Sequence, residues 1–142
     1  MGNIYTYFVA ENDAAAAATA DAGPGGLPSL DAVDATVQAG SLMALLTGRP
    51  YEEVTGAKEW ARLVSDPAHE LAWVVSMPDA FTDALADADN AKLAEVVGPW
   101  SQTEEFWGAG DPEELLPLLS SWRGLAQTAK DSGQHLFCWM AL

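Results

Sequence analysis

The sequence predicts an α+β fold, a small antiparallel or mixed sheet packed against helices, and three observations predict it. Short runs rich in β-branched and aromatic residues stand near both ends, Ile4 to Val9 and His135 to Leu142. Two further runs, Trp60 to Ser65 and Glu70 to Met77, flank Asp66-Pro67-Ala68-His69, where Pro67 takes the second position that a type I turn favours. The segments between them carry helical spacing with recognisable start and stop residues. Strands at the ends, a hairpin in the middle and helices between them place the helices on one face of the sheet. At 142 residues the chain is expected to form a single domain, 1–142.

In the first run Tyr5, Tyr7 and Val9 share one side and Ile4, Thr6 and Phe8 the other, the two-residue period of a strand. Asn12 and Asp13 then precede Ala14 to Ala18, short polar residues placed to cap an alanine-driven helix. The Gly/Pro-rich stretch 23–28 ends it and is expected to be a mobile loop. From Asp34 to Thr47 the positions Val37, Leu42, Leu45 and Leu46 recur at helical spacing, and Gly48 supplies the left-handed stop, so this is the expected central helix. Pro50 with Glu52 and Glu53 starts a brief helical turn ending by Gly56.

The run Leu71 to Ser76 is short and rich in β-formers, which decides for strand over helix. Pro78-Asp79 opens a helix running to Ala88. Asp89-Asn90 caps another that ends at Gly98-Pro99, because proline disfavours helical geometry at the residue before it. Trp100 to Gly110 is expected to be irregular. Asp111-Pro112-Glu113-Glu114 is the strongest helix start in the chain, with Leu115, Leu118, Leu119, Trp122, Leu125, Ala126 and Ala129 as its apolar stripe.

Six Lys and Arg against twenty-one Asp and Glu give a formal charge of −15, while 49% of the residues are apolar. That apolar content is too high for a chain held open by charge, so an acidic globular protein is expected. Nucleic-acid affinity comes mainly from basic side chains displacing counterions, and anionic lipid surfaces attract the same groups; neither partner suits this charge. The longest uncharged run, 35–48, has 14 residues, well short of the roughly 20 apolar residues that span a bilayer. Met1-Gly2 with Thr6 matches the myristoylation motif only in its loosest letters. The N-terminal run has no basic residue before it, unlike a secretory signal, and one cysteine, Cys138, forms no internal disulfide; both point to the cytoplasm.

No complete catalytic or cofactor motif is present, and no cofactor or metal is expected. His135 and Cys138 look like a fragment of a metal or thiol site, but three residues apart on a strand they point to opposite faces. Reading Asp87 as the first position of a calcium loop puts Ala91, Lys92 and Gly98 where ligands and the obligatory glycine belong. Glu104 and Glu105 are adjacent, with no separated carboxylate to complete glycoside chemistry. Phosphate-loop, dinucleotide and nucleophile-elbow patterns are absent.

Two features remain. Asp79, Asp83 and Asp87 recur at four-residue spacing, which lines three carboxylates along one helix face; that is either a solvated face or a rail for a basic partner. The stretch Trp100 to Gly110 holds Trp100, Glu104, Glu105, Phe106 and Trp107 before flexible glycines, a composition suited to core plugging or to recognition.

With these elements placed, the sequence resembles the YfbM-like family of small uncharacterised bacterial proteins, in a divergent version. Met1-Gly2-Asn3-Ile4 with Tyr7, Leu45-Leu46-Thr47-Gly48, and the Leu118 to Ala129 helix running through Gly133 into His135 to Leu142 carry the resemblance. It implies a compact α+β fold and brings no catalytic residues with it.

The expected function is a non-enzymatic interaction module, of the immunity or antitoxin-like inhibitor kind, that binds a basic protein. Its surface would comprise Asp79, Asp83, Asp87, Trp100, Glu104, Glu105 and Trp107. The alternative is a small-molecule-binding domain or minor enzyme with a pocket lined by Trp100, Trp107, His135 and Trp139. The first reading requires the acids of this set to be exposed.

Overall fold

Strand β1 (Ile4–Ala10) sits next to strand β5 (His135–Ala141), and the two pair antiparallel over their whole length, from Ile4 opposite Ala141 to Ala10 opposite His135. The computed structural model describes residues 3–142, and of Glu105 the backbone only. β2 (Ser29–Asp31) adds to the outer side of β1. β4 (Ala72–Ser76) pairs with β5 and carries the two-residue β3 (Arg62–Leu63) on its far side, so the sheet runs β2-β1-β5-β4-β3 with every pair antiparallel. The expected hairpin is therefore present, with a shorter first arm. β2, unread in the sequence, is three residues tied down by Thr6 donating to Asp31 at 2.6 Å.

Alternation along β1 and β5 divides the core in two. Tyr7, Val9, Val75, Leu136 and Cys138 face one side, where they are covered by α2 (Gln38–Thr47), α3 (Tyr51–Thr55), α4 (Asp79–Asp87), α5 (Asn90–Ser101) and α6 (Pro112–Asp131). An aromatic chain crosses this layer. Trp122 on α6 lies 4.5 Å from Tyr7 and 5.4 Å from Phe81, and Phe81 meets Trp60 at 5.3 Å, all measured between ring centroids. Each such pair adds about 0.5–1.5 kcal/mol beyond the area it buries.

The helices were expected on one face of the sheet, and the five named above do lie there, but the other face carries a short helix as well. Phe8, Val74 and Phe137 point there, and α1 (Asp13–Ala17) with the chain after it lays Ala16 and Ala20 over them. Leaving Phe8 and Phe137 in water would forfeit about 1.5–3 kcal/mol each, which is why a second layer forms. The start of the 23–28 loop packs onto this layer, while 25–28 are exposed. Trp139 donates its indole N–H to the Ala20 carbonyl at 2.9 Å, its ring packs against Gly23, and Pro24 is buried.

Three local differences have separate causes. α2 begins at Gln38 rather than Asp34, because the Asp34 carboxylate first caps a turn, accepting from the N–H and hydroxyl of Thr36, both at 2.6 Å, and from the Val37 N–H at 3.2 Å. Trp60 leaves its expected strand: Ala61 takes a positive φ of 47°, and the indole turns into the helical layer to donate to the Thr36 carbonyl. α5 runs past Pro99 to Ser101, since Trp100, fully buried and donating to the Gln38 carbonyl at 2.9 Å, holds the last turn in place. Among the described residues no helix is long and apolar enough to cross a membrane.

The outer edge of β4 is closed by side chains beyond its short partner. Ser65 Oγ accepts the Val74 N–H at 2.8 Å, and His69 Nδ1 accepts the Leu71 and Ala72 N–H groups, both at 3.1 Å. Nδ1 therefore carries a lone pair, and Nε2, 2.7 Å from the Asp21 carboxylate, carries the hydrogen. This disposes of donors that would otherwise invite a foreign strand. His69→Ala removes the acceptor of two N–H groups, that of buried Ala72 and that of exposed Leu71, the second of which water can take over. It is expected to cost about 0.5–1.5 kcal/mol in urea denaturation; an unchanged midpoint would refute this account of the edge.

A second prediction concerns acid. Burial would raise the Asp34 carboxyl, but hydrogen bonds from the Thr36 hydroxyl and N–H, the Val37 N–H and the Tyr5 hydroxyl outweigh it and hold the group below its ordinary value. A depressed folded-state value means that its stabilisation is complete above the unfolded value of about 3.9 and is lost as pH falls through the lower folded value. Wild-type stability should thus fall more steeply than that of Asp34→Asn in this acid window. Parallel stability curves for the two below pH of about 4 would contradict it.

Candidate interaction surface

The segment after α5 is irregular apart from one short turn, and it is held compact by hydrogen bonds. Thr103 Oγ donates to the Trp100 carbonyl at 2.8 Å and opens a 3-10 turn, Glu104–Phe106, whose Phe106 ring meets Trp100 edge-on at 4.9 Å. The Trp107 N–H donates to the Glu104 carbonyl at 2.8 Å, Gly108 to Thr103 at 3.1 Å, and Gly110 to Ser101 at 2.9 Å. A Cβ on Gly110 would lie 2.7 Å from the Ser101 carbonyl oxygen, so the return of the chain requires glycine there. These bonds fix a tight loop with Trp107 at its tip.

Trp107 is 92% exposed and has a left-handed backbone, φ 58°. That conformation costs an L-residue roughly 1–2 kcal/mol, and the exposed indole recovers none of it by packing. Beside the same turn an open cavity of ≈ 420 Å³ lies between Ser41, Ala44 and Leu45 of α2, Tyr51 of α3, and Gln102, Thr103 and Glu104. Trp100, expected on this surface, is instead fully buried beneath it, and of the two tryptophans Trp107 is the exposed one. Glu104 is exposed, and the side chain of Glu105 lies outside the described residues.

The aspartate row is exposed on α4, with side chains 72%, 55% and 69% accessible at Asp79, Asp83 and Asp87. Its mutual repulsion is already met from within the chain. Lys130 of α6 lies 3.0 Å from Asp87 and 3.6 Å from Asp83, and the hydrogen bond to Asp87 is the main cause that raises its pKa. His135 Nδ1 stands 3.0 Å from Asp79. The row is thus exposed but not without partners: Lys130 supplies one positive charge against Asp83 and Asp87, and the His135 ring stands beside Asp79.

The four residues of the expected Trp-lined pocket are not brought together. Trp100 is inside the helical layer, Trp107 is in solvent, and Trp139 is bonded to Ala20 under the α1 layer. His135 lines a separate cavity of ≈ 310 Å³ with Asp13, Glu59, Arg62, Ser76, Asp79 and Phe137, in which Arg62 is held by Asp13 at 2.9 Å. His135 shares the Phe137 face and Cys138 the opposite one. Burial pushes the Cys138 thiol up, so it stays protonated and unreactive. Among the described residues no group of three or more His, Cys, Asp or Glu is placed to hold a metal ion.

Sequence reasoning missed the groove residues Ser41, Ala44, Tyr51, Gln102 and Thr103. The available signal was α2 itself, a ten-residue helix with no charged side chain, apolar on more than the one stripe a single core contact needs. No family model matches the chain, and no curated protein or solved structure shows significant similarity to it.

The geometry makes Trp107 a stability liability. Trp107→Gly removes the left-handed strain and loses no buried contact, so it should raise stability by about 0.5–1 kcal/mol after the added freedom of the unfolded chain is offset. A destabilisation of that size in denaturant would show that the ring packs in a way that its exposure denies.

Proposed function

We propose that this chain is a non-enzymatic interaction module that binds a basic protein, of the immunity or antitoxin-like inhibitor kind, through the turn that presents Trp107. The observation that carries the proposal is a large aromatic side chain held in solvent on strained backbone by a fixed hydrogen-bonded loop. Strain of this kind persists where the surrounding structure enforces it, and tryptophan is the residue type most often found to dominate binding energy. Charge supports the same reading. Arg49, Arg62, Lys92 and Lys130 each face a carboxylate of the chain, and Arg123 donates to the Ala88 carbonyl. With a formal −15 the surplus acid is left for a cationic partner.

A cytoplasmic setting and kinship with the YfbM-like family belong to the same proposal. The kinship rests on the three sequence stretches named above, the first of which starts at Met1-Gly2, outside the described residues.

The test is affinity capture from native lysate at low salt with wild type and Trp107→Ala side by side. Wild type should retain a basic protein that leaves as salt rises, and the variant should retain it at least about tenfold more weakly, as loss of a central aromatic anchor does. Equal capture by the two proteins would refute the assignment of the surface.

A further inference from the structure

We infer that the groove beside Trp107 seats a cationic amphipathic helix of the partner, its apolar side on α2 and its basic side toward the acidic rim. The inference rests on the interaction-module reading and specifies which part of a partner that surface takes. α2 is the starting point. Its ten residues, QAGSLMALLT, include no charge, and a helix of that kind is normally covered on all sides. Ala39, Leu42 and Met43 are buried, but Ala44, Leu45 and Leu46 are only partly covered. The cavity of ≈ 420 Å³ opens on the uncovered side, and Ala44, Leu45 and Tyr51 form its apolar floor.

Charge selects the occupant. Glu104 lines the groove, Glu52 follows Tyr51 on α3, and the nearby Arg49 is engaged by Glu53 at 2.8 Å. A second copy of the chain would bring another −15 against the first, and an anionic lipid surface is repelled in the same way. A segment with apolar anchors and flanking lysines or arginines satisfies both floor and rim. Shape selects its conformation. The walls are helices and a 3-10 turn with no strand edge among them, so an added β-strand has nothing to pair with, whereas a helix offers anchors at three- and four-residue spacing. Trp107 projects into solvent from the same turn whose Thr103 and Glu104 line the groove, within reach of a helix longer than the groove itself.

The experiment uses the full chain, uniformly labelled, titrated at low salt with a synthetic leucine–lysine amphipathic helix while backbone amide shifts are followed. Two controls accompany it, oligolysine and a leucine–glutamate helix of the same pattern. The expected result is a footprint on 41–45, 51 and 102–108, binding about tenfold weaker to oligolysine, and none to the acidic helix. Trp107→Ala, which leaves the core untouched, should weaken the leucine–lysine helix by about tenfold. A footprint on 79–87, equal affinity for oligolysine, or no binding would overturn the inference. If Trp107→Ala abolishes capture of the native partner while the peptide footprint lies elsewhere, the surface stands and the helical occupant falls.

Discussion

The seven-residue antiparallel ladder between β1 and β5 is the constraint on which the rest of the molecule depends. Its register places Tyr7 beside Cys138 and Phe8 beside Phe137, and alternation sends these pairs to opposite faces. On one side Tyr7 meets Trp122 and through it Phe81 and Trp60, which ties α6, α4 and the chain before β3 into one layer. On the other, the Phe8 and Phe137 rings stack at 5.7 Å and require a cover that the α1 segment provides. A slip of one residue would exchange the two faces and break both layers at once, so register and packing enforce each other.

Much of this was legible in the sequence because it rests on local rules. The caps at Asp89 and Asp111, a cap within the pair Asn12 and Asp13, the left-handed Gly48 and the alternation of both terminal strands were readable; Asn12 rather than Asp13 proves to be the cap, and each of the three caps accepts a backbone N–H of the following turn. What was not legible came from long-range demands. Pro99 argued for a helix end, but burial of Trp100 and its bond to Gln38, 62 residues away, carried the helix further. The Gly/Pro loop has the composition of a flexible segment, and nothing local says that Trp139, from across the chain, packs on its first residue, Gly23. Trp100 and Trp107 sit seven residues apart in the same aromatic stretch, and nothing local says that one is core and the other solvent.

The candidate surface shows the same division. The carboxylate row was readable from spacing, but the approach of Lys130 to Asp83 and Asp87 and of the His135 ring to Asp79 required the packing of α6 and β5 against α4. The groove was hidden because its walls come from α2, α3 and the end of α5. Where local preference and tertiary demand disagree elsewhere in the chain, a buried contact explains the outcome: Trp60 explains Ala61, and Trp100 explains Pro99. At Trp107 no buried contact does, and that is why the functional reading settles there.

The most direct measurement is hydrogen exchange on the captured native complex, comparing free and bound chain across the whole sequence. Recognition by the Trp107 turn and its groove requires added protection at 41–51 and 102–108, with exchange at 79–87 unchanged. Protection confined to the aspartate row, or spread evenly over the acidic surface, would contradict it.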